Sequence, residues 1–215
     1  MSNINRRVAA LFDLDGVLVD TEGIYTQFWS DMDRRYPTRV ENFASVIKGS
    51  TLPVILSRYF PEPEVQHEIC ALLADFEENM PYRVFDGVTD FLADLRNHGI
   101  KAAIVTSSGS KKMEHLFKLV PGFRDFFAAV LTDADVSRSK PDPEPYLKGA
   151  EKAGVHPEEC IVFEDSFQGL ESGRRAGCRV IGLSTTNPAE AIAPKADMVA
   201  PSLATLVSEI ESMLA

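Results

Sequence analysis

The sequence predicts an α/β protein: a doubly wound parallel sheet core with an inserted α-helical cap subdomain. Three observations predict it. Short, near-continuous apolar runs of strand length recur from residue 85 onward, amphipathic helical stretches separate them, and one more such run stands ahead of a long, purely helical stretch. Strands buried on both faces read as unbroken apolar runs, and crossover helices cover both faces of a parallel sheet.

The first strand lies within Val8-Ala9-Ala10-Leu11-Phe12-Asp13-Leu14-Asp15-Gly16-Val17-Leu18. From Thr21 to Tyr82 the pattern is mostly helical, with Ile24, Phe28, Trp29 and Met32 at helical spacing and a further helix over Glu64 to Asn79. Pro37, Pro53, Pro61, Pro63 and Pro81 punctuate this stretch, and no strand pattern interrupts it. Residues 21–84 are therefore expected to form the cap, with 1–20 and 85–215 as the core. Asp86 is expected to cap a helix carrying Val88, Phe91, Leu92 and Leu95, which Gly99 ends. Then follow a strand over Ala102 to Val105, a helix with Met113, Leu116, Phe117 and Val120 on one face, and a strand over Ala128 to Leu131. A helix over Pro143 to Ala153 precedes the strand Cys160 to Phe163, and Phe167 to Ala176 is the next helix. Arg179 to Leu183 and Asp197 to Ala200 are expected as the last strands, with a final helix over Leu203 to Leu214.

Composition narrows the function. The 215 residues suit one domain of ordinary core size or a core plus an insertion, and the 45% hydrophobic content is that of a globular protein. With 32 acidic against 22 basic residues, the net charge of −10 argues against nucleic acid or an anionic membrane as partner. The polar segment Met1 to Arg7 has no signal-peptide character and no run of membrane-spanning length occurs, so a cytoplasmic location is expected. Nothing in the sequence calls for an assembly beyond a monomer or weak dimer. Cys70, Cys160 and Cys178 are widely spaced and lack any Cys-x-x-Cys pattern, which leaves them as reduced, buried thiols.

The chemistry is expected at the ends of the strands, where sites in such sheets lie. Alternation along a strand points Asp13 and Asp15 the same way and Leu14 into the core, while Gly16 permits a sharp turn. Two carboxylates so close call for a cation or a shared proton. A calcium loop is disfavoured, because Gly16 comes too early and Val17, Leu18 and Val19 occupy positions such a loop keeps polar. A solvated strand end is the plain alternative, and a magnesium-dependent phosphoryl site is the favoured one. Thr106-Ser107-Ser108 follow the second strand, Lys140 lies in the stiff loop Ser139-Lys140-Pro141-Asp142-Pro143, and Glu164-Asp165 follow the Ile161 strand, with Ser166 as helix cap. Each is unremarkable alone. Gathered at one rim they compose a phosphate-and-metal site.

These residues resemble the haloacid dehalogenase-like superfamily, and within it the β-phosphoglucomutase-like phosphatases with a helical cap. The resemblance covers nearly the whole chain and rests on Asp13-Leu14-Asp15-Gly16-Val17, Thr106, Lys140 within Ser-Lys-Pro-Asp-Pro, and Phe163-Glu164-Asp165-Ser166. It implies a Rossmann-like core and a Mg²⁺-dependent phosphatase acting on a small phosphorylated metabolite, sugar phosphates first. Asp13 would be the nucleophile that forms an aspartyl-phosphate, and Asp15 the acid that protonates the leaving oxygen and then the base for water. Asp13, Asp165, the backbone carbonyl of Asp15 and the Glu164 region would supply metal ligands. Thr106 and the Ser107 amide would bind phosphoryl oxygens, and Lys140 would hold nucleophile and phosphate. The four carboxylates outnumber the charge of one magnesium ion and one lysine, so a proton on Asp15 suits both its role and the approach of a dianion. Where the family's sugar mutases have a cap histidine this chain has Tyr25, and Leu52 stands where their cap arginine falls, which favours hydrolysis over mutation. Tyr25, Lys48, Arg58 and Arg83 are the cap residues expected to meet a leaving group, while His67, His98, His115 and His156 receive no role. A regulatory domain phosphorylated on Asp13 without turnover is the alternative, disfavoured by the cap and by Asp15.

Overall fold

A computed structural model describes residues 8–207. The strands are β1 (Ala9–Phe12), β2 (Lys101–Val105), β3 (Phe127–Leu131), β4 (Cys160–Glu164), β5 (Arg179–Leu183) and β6 (Met198–Ala200), all parallel, in the spatial order β3-β2-β1-β4-β5-β6. This is the order of the Rossmann-type doubly wound sheet, which runs outward in both directions from a switch point between its first and fourth strands. The strand ends agree with the apolar runs to within a residue.

The helices of the core are α5 (Val88–Asn97), α6 (Ser110–Leu119), α7 (Glu144–Ala153), α8 (Phe167–Arg175) and the short α9 (Ala189–Ile192). Strand alternation sorts them onto two faces. Ala10, Phe12 and Leu14 pack with Phe91, Leu92 and Leu95 of α5 and Met113 and Leu116 of α6. Ala9 and Leu11, one residue out of phase, pack with Tyr146 and Ala150 of α7 and Leu170 of α8. Phe12 and Phe163, paired in register across β1 and β4, stack with centroids 4.7 Å apart, and Phe91 meets Phe163 edge-on at 5.4 Å. Each such buried ring contributes about 1.5–3 kcal/mol by leaving water, so the strand ends beyond them rest on a firm base.

The chain departs from this pattern between β1 and α5, in α1 (Glu22–Arg35), α2 (Phe43–Val46), α3 (Leu52–Tyr59) and α4 (Pro63–Asn79). Phe28, Trp29, Met32, Phe43, Ile55, Phe60, Ile69 and Leu73 form an apolar cluster of their own there. Val19 bridges Val84 in antiparallel sense, and Asp20 and Phe85 donate backbone hydrogen bonds across the pair, to Arg83 at 2.8 Å and Leu18 at 3.1 Å. The chain thus leaves and re-enters the core at adjacent points.

Three expectations are corrected. Asp86 does not cap α5; Gly87, at φ +79°, occupies that position, where a Cβ would lie 2.5 Å from that of Ala204, and Asp86 faces solvent near Arg83. Cys70 is exposed because it sits one residue around α4 from the buried stripe of Ile69 and Leu73, whereas Cys160 and Cys178 are buried as expected. Where a final helix was expected, Leu203–Leu206 form a single 3₁₀ turn, and residues 208–214 of that expected helix lie outside the described residues.

Candidate active site

The switch point is where the acidic residues gather. Asp13 directly follows β1, and its amide donates to the carbonyl of Phe163 at 3.1 Å, which sets it beside Glu164 at the end of β4. Gly16 turns the chain immediately afterwards at φ +78°, and Leu18 closes the turn on the Leu14 carbonyl at 2.8 Å. A Cβ on Gly16 would fall 2.1 Å from Asp165 Oδ2, so glycine permits both the turn and the approach of the β4–α8 loop.

Lys140 is the centre of the cluster. Its Nζ, buried with 2% of the residue exposed, donates to Asp13 at 2.6 Å, to Glu164 at 2.7 Å and to the Val105 carbonyl at 3.0 Å. Burial alone would lower its pKa, but the carboxylates of Asp13 and Glu164 outweigh it and hold the ammonium firmly protonated. Glu164 has both oxygens engaged: besides Lys140 it accepts from Tyr146 at 2.9 Å and from the amides of Asp165 and Ser166 at 3.0 Å each. Gly169 lets α8 lie on that carboxylate, since a Cβ there would come within 1.7 Å of it, and Ser166 caps α8 as expected, accepting from the Gly169 amide. The Lys140 loop is braced by Glu144, which accepts from the amides of Ser137 at 2.8 Å and Arg138 at 3.0 Å.

Asp15 lies to one side, toward the inserted helices. Both its oxygens are 2.6 Å from Lys112 Nζ, Ser108 Oγ donates at 3.0 Å, and Thr21 Oγ1 donates as well. Ser108 was noted only within the hydroxyl run after β2, and Lys112, Thr21 and Tyr146 were not among the residues the sequence singled out. The spacing of Ser108 and Lys112, four apart at the start of a helix, is the signal that could have found the first pair. Thr106 is buried, with its hydroxyl accepting from the Ser108 amide at 3.1 Å. Ser107 Oγ donates to the Gly49 carbonyl of the insertion at 2.8 Å.

Asp13, Glu164 and Asp165 offer carboxylate oxygens that lie within 4.8 Å of one another, a possible metal-binding cluster. Asp165 Oδ2 is buried without a hydrogen-bond partner. Burial, with Glu22, Glu164 and Asp13 nearby, pushes the Asp165 carboxyl well above the usual carboxylate range. Burial likewise pushes Asp13 up to about 7; Glu164 and Asp15 add to this and Lys140 opposes it. An orphaned buried oxygen among crowded carboxylates fits a hard cation, which would lower their proton affinity again. The Asp15 side chain stands outside this cluster.

Between the rim and the inserted helices lies a cavity of about 410 Å³. Asp13, Asp15, Thr106, Ser107 and Asp165 line it from the sheet side, and Tyr25, Lys48 and Leu52 from the other. Arg58 and Arg83 are exposed and do not line it, nor does any of the four histidines. Glu22 pairs with Lys48 at 2.6 Å and Tyr25 donates to Glu77 at 2.7 Å. Burial raises both glutamates' proton affinity, opposed by Lys48 at Glu22 and by Tyr25 at Glu77.

The doubly wound sheet, the inserted helices and the acidic, lysine-bearing rim define the class, an α/β protein with a charged site at the switch point of a parallel sheet. Residues 10–183 match the model of the haloacid dehalogenase-like hydrolases, and the chain belongs to that family. It is 32% identical over 197 residues to the validoxylamine A 7'-phosphate phosphatase of Streptomyces hygroscopicus subsp. limoneus, covering 86% of this chain and 89% of that one. It is 34% identical over 181 residues to hexitol phosphatase A of Escherichia coli, covering 81% and 82%. Among solved structures it is similar to a hydrolase from Pseudomonas syringae, with TM-score 0.83, 20% identity and coverage of 97% and 100%. The β-phosphoglucomutase of Clostridium difficile gives TM-score 0.76 at 21% identity and 95% and 94% coverage, a likeness of fold. No helix among the described residues is long and apolar enough to cross a membrane.

Proposed function

We propose that the protein is a cytoplasmic, magnesium-dependent phosphatase that hydrolyses a small sugar-phosphate monoester through an aspartyl-phosphate on Asp13. The observation that carries this reading is the setting of Asp13: one oxygen on the buried Lys140 ammonium, at a switch point, lining a cavity beside the unpartnered Asp165 oxygen. The relatives named validoxylamine A 7'-phosphate phosphatase and hexitol phosphatase A support the substrate class. Residues 21–84 serve as the cap.

Asp13 attacks phosphorus in line with the leaving oxygen, replacing one hard displacement by two easier ones. Lys140 fixes the attacking carboxylate and offsets the charge of the incoming phosphoryl group. Thr106 and the Ser107 amide hold phosphoryl oxygens. Asp15, once it has exchanged its contacts with Lys112, Thr21 and Ser108 for a proton, gives that proton to the departing oxygen and later takes one from the water that opens the acyl-phosphate. Asp13, Asp165 and the Asp15 carbonyl, with Glu164 behind them, would hold Mg²⁺. When bound, the ion supplies the positive charge that lets a phosphate dianion enter an acidic site. The inserted helices exclude water from the reacting centre.

The test is phosphate release from sugar phosphates and p-nitrophenyl phosphate with Mg²⁺ or EDTA, alongside Asp13→Asn. Release that needs the metal and falls at least ~1,000-fold in the variant, about 4 kcal/mol of barrier, is expected. A variant that retains turnover overturns the nucleophile assignment.

A further inference from the structure

The cavity has two walls of different chemistry, one from the sheet and one from the insertion. Six carboxylates and three lysines line the cavity. The insertion contributes Glu22, Glu77 and a single cation, Lys48. Lys48 and Glu22, with side chains only 16% and 20% exposed, face each other at 2.6 Å and cancel. Glu77 remains, held in place by the Tyr25 hydroxyl at 2.7 Å. No arginine lines the cavity among the described residues. On the sheet side Lys112 is taken by both oxygens of Asp15, and Lys111 is exposed on the first turn of α6. Trp29, Leu52, Ile55 and Leu73 supply the apolar remainder of the insertion's wall.

A second phosphate or a carboxylate on the leaving group would be desolvated against Glu77 with no unpaired cation of the insertion to meet it, which is unfavourable at short range. Donor groups would find acceptors. Resting on the phosphatase reading above, we propose that the insertion's wall selects phosphomonoesters whose leaving group carries hydroxyl or ammonium donors and no second anion. Glu77 is the residue that enforces this. Bisphosphates, phosphorylated sugar acids and pyrophosphate are then poor substrates.

Matched pairs test the inference. Sorbitol 6-phosphate and 6-phosphogluconate share an open six-carbon chain and differ in a terminal carboxylate, while glucosamine 6-phosphate and glucose 6-phosphate differ in an ammonium. With p-nitrophenyl phosphate as the reference, kcat/KM is expected to favour the sorbitol ester over the gluconate by about 10-fold or more. In Glu77→Gln that ratio should shrink several-fold. The ratio is taken within one variant, so it does not depend on the fraction of folded enzyme. An ammonium preference that Glu77→Gln abolishes assigns the cationic donor; equal use of the ring pair, with the gluconate still rejected, assigns hydroxyls. Equal or better turnover of 6-phosphogluconate by the wild type, or a ratio unchanged in Glu77→Gln, overturns the inference. Absence of all turnover, p-nitrophenyl phosphate included, overturns the phosphatase reading and this inference with it.

Discussion

The rim of the sheet and the roof above it are fixed by different forces. At the rim, Lys140, Glu164 and Tyr146 are almost wholly buried and joined by hydrogen bonds of 2.7–2.9 Å, with loops braced from behind by Glu144 and capped by Ser166. The roof is packed within itself through an aromatic cluster and is tied down by a few polar contacts at its 46–50 loop. Ser107 donates to Gly49 at 2.8 Å, Ser50 to Gln168 at 3.0 Å, and Gln168 to the Val46 carbonyl at 2.9 Å. The difference teaches where precision is needed. In the proposed mechanism the groups that would meet phosphorus are preorganised by buried charge pairing, whereas the surface that would admit the substrate is held by bonds weak enough to exchange with water.

The most severe break of this contrast is Lys140→Met. It leaves Asp13 and Glu164 as adjacent buried carboxylates, and removing one partner of a buried pair costs about 3–5 kcal/mol. Urea unfolding should show that loss, and phosphate release should fall by about two to three orders of magnitude; a fully stable variant would contradict the account of the rim.

Metal and pH sharpen the contrast next. The Asp13 carboxyl is raised from its unfolded value near 3.8 to about 7, so in the metal-free protein the stability it contributes is complete below pH 4 and is lost as pH rises through 7. In the proposed site a bound Mg²⁺ would compete with protons for this carboxylate. Adding Mg²⁺ in place of EDTA should therefore raise Tm more at pH 8 than at pH 5.5. A hundredfold excess over Kd stabilises by about 2.7 kcal/mol, roughly 5–10 °C for a chain of this size. Equal shifts at the two pH values would count against the Asp13 and Asp165 metal cluster.

The smallest effect is expected at the roof. Gln168→Ala removes two contacts between the layers, each worth about 0.5–1.5 kcal/mol at most. Steady-state kinetics should show KM rising about 2- to 5-fold with kcat changed less, and calorimetry a Tm within a few degrees of the parent. A large loss of kcat would mean that these contacts shape the rim itself.

The sequence disclosed the sheet because β1, β2, β4 and β5 are buried on both faces and their composition says so. The polar residues at the strand ends were legible for the same reason: Asp13, Thr106 and Glu164 each interrupt an apolar pattern where it stops, while Lys140 stood out through the stiff proline loop around it. Lys112 was hidden because a buried lysine beside Met113 and Leu116 reads as one more solvated charge until the partner carboxylate is located across the fold. Tyr146 was hidden as an aromatic of the core, which it also is. The cap of α5 was misread because Asp86 has the chemistry of a cap, while the conformation there requires Gly87. The residues of the insertion that were expected at the cavity divide in the same way. Tyr25 and Lys48 reach it and Arg58 and Arg83 do not, a distinction set by helix packing with no counterpart in local pattern.

The pairing of Val19 with Val84 has a consequence for the history of such proteins. To the sheet, everything between those two residues is a loop whose ends already touch, and closing a loop costs only about 0.6 kcal/mol for each doubling of its length. The intervening segment can therefore lengthen, shrink or be exchanged wholesale while the strands keep their register. Selection could then refit the roof to a new metabolite without rebuilding the hearth beneath it.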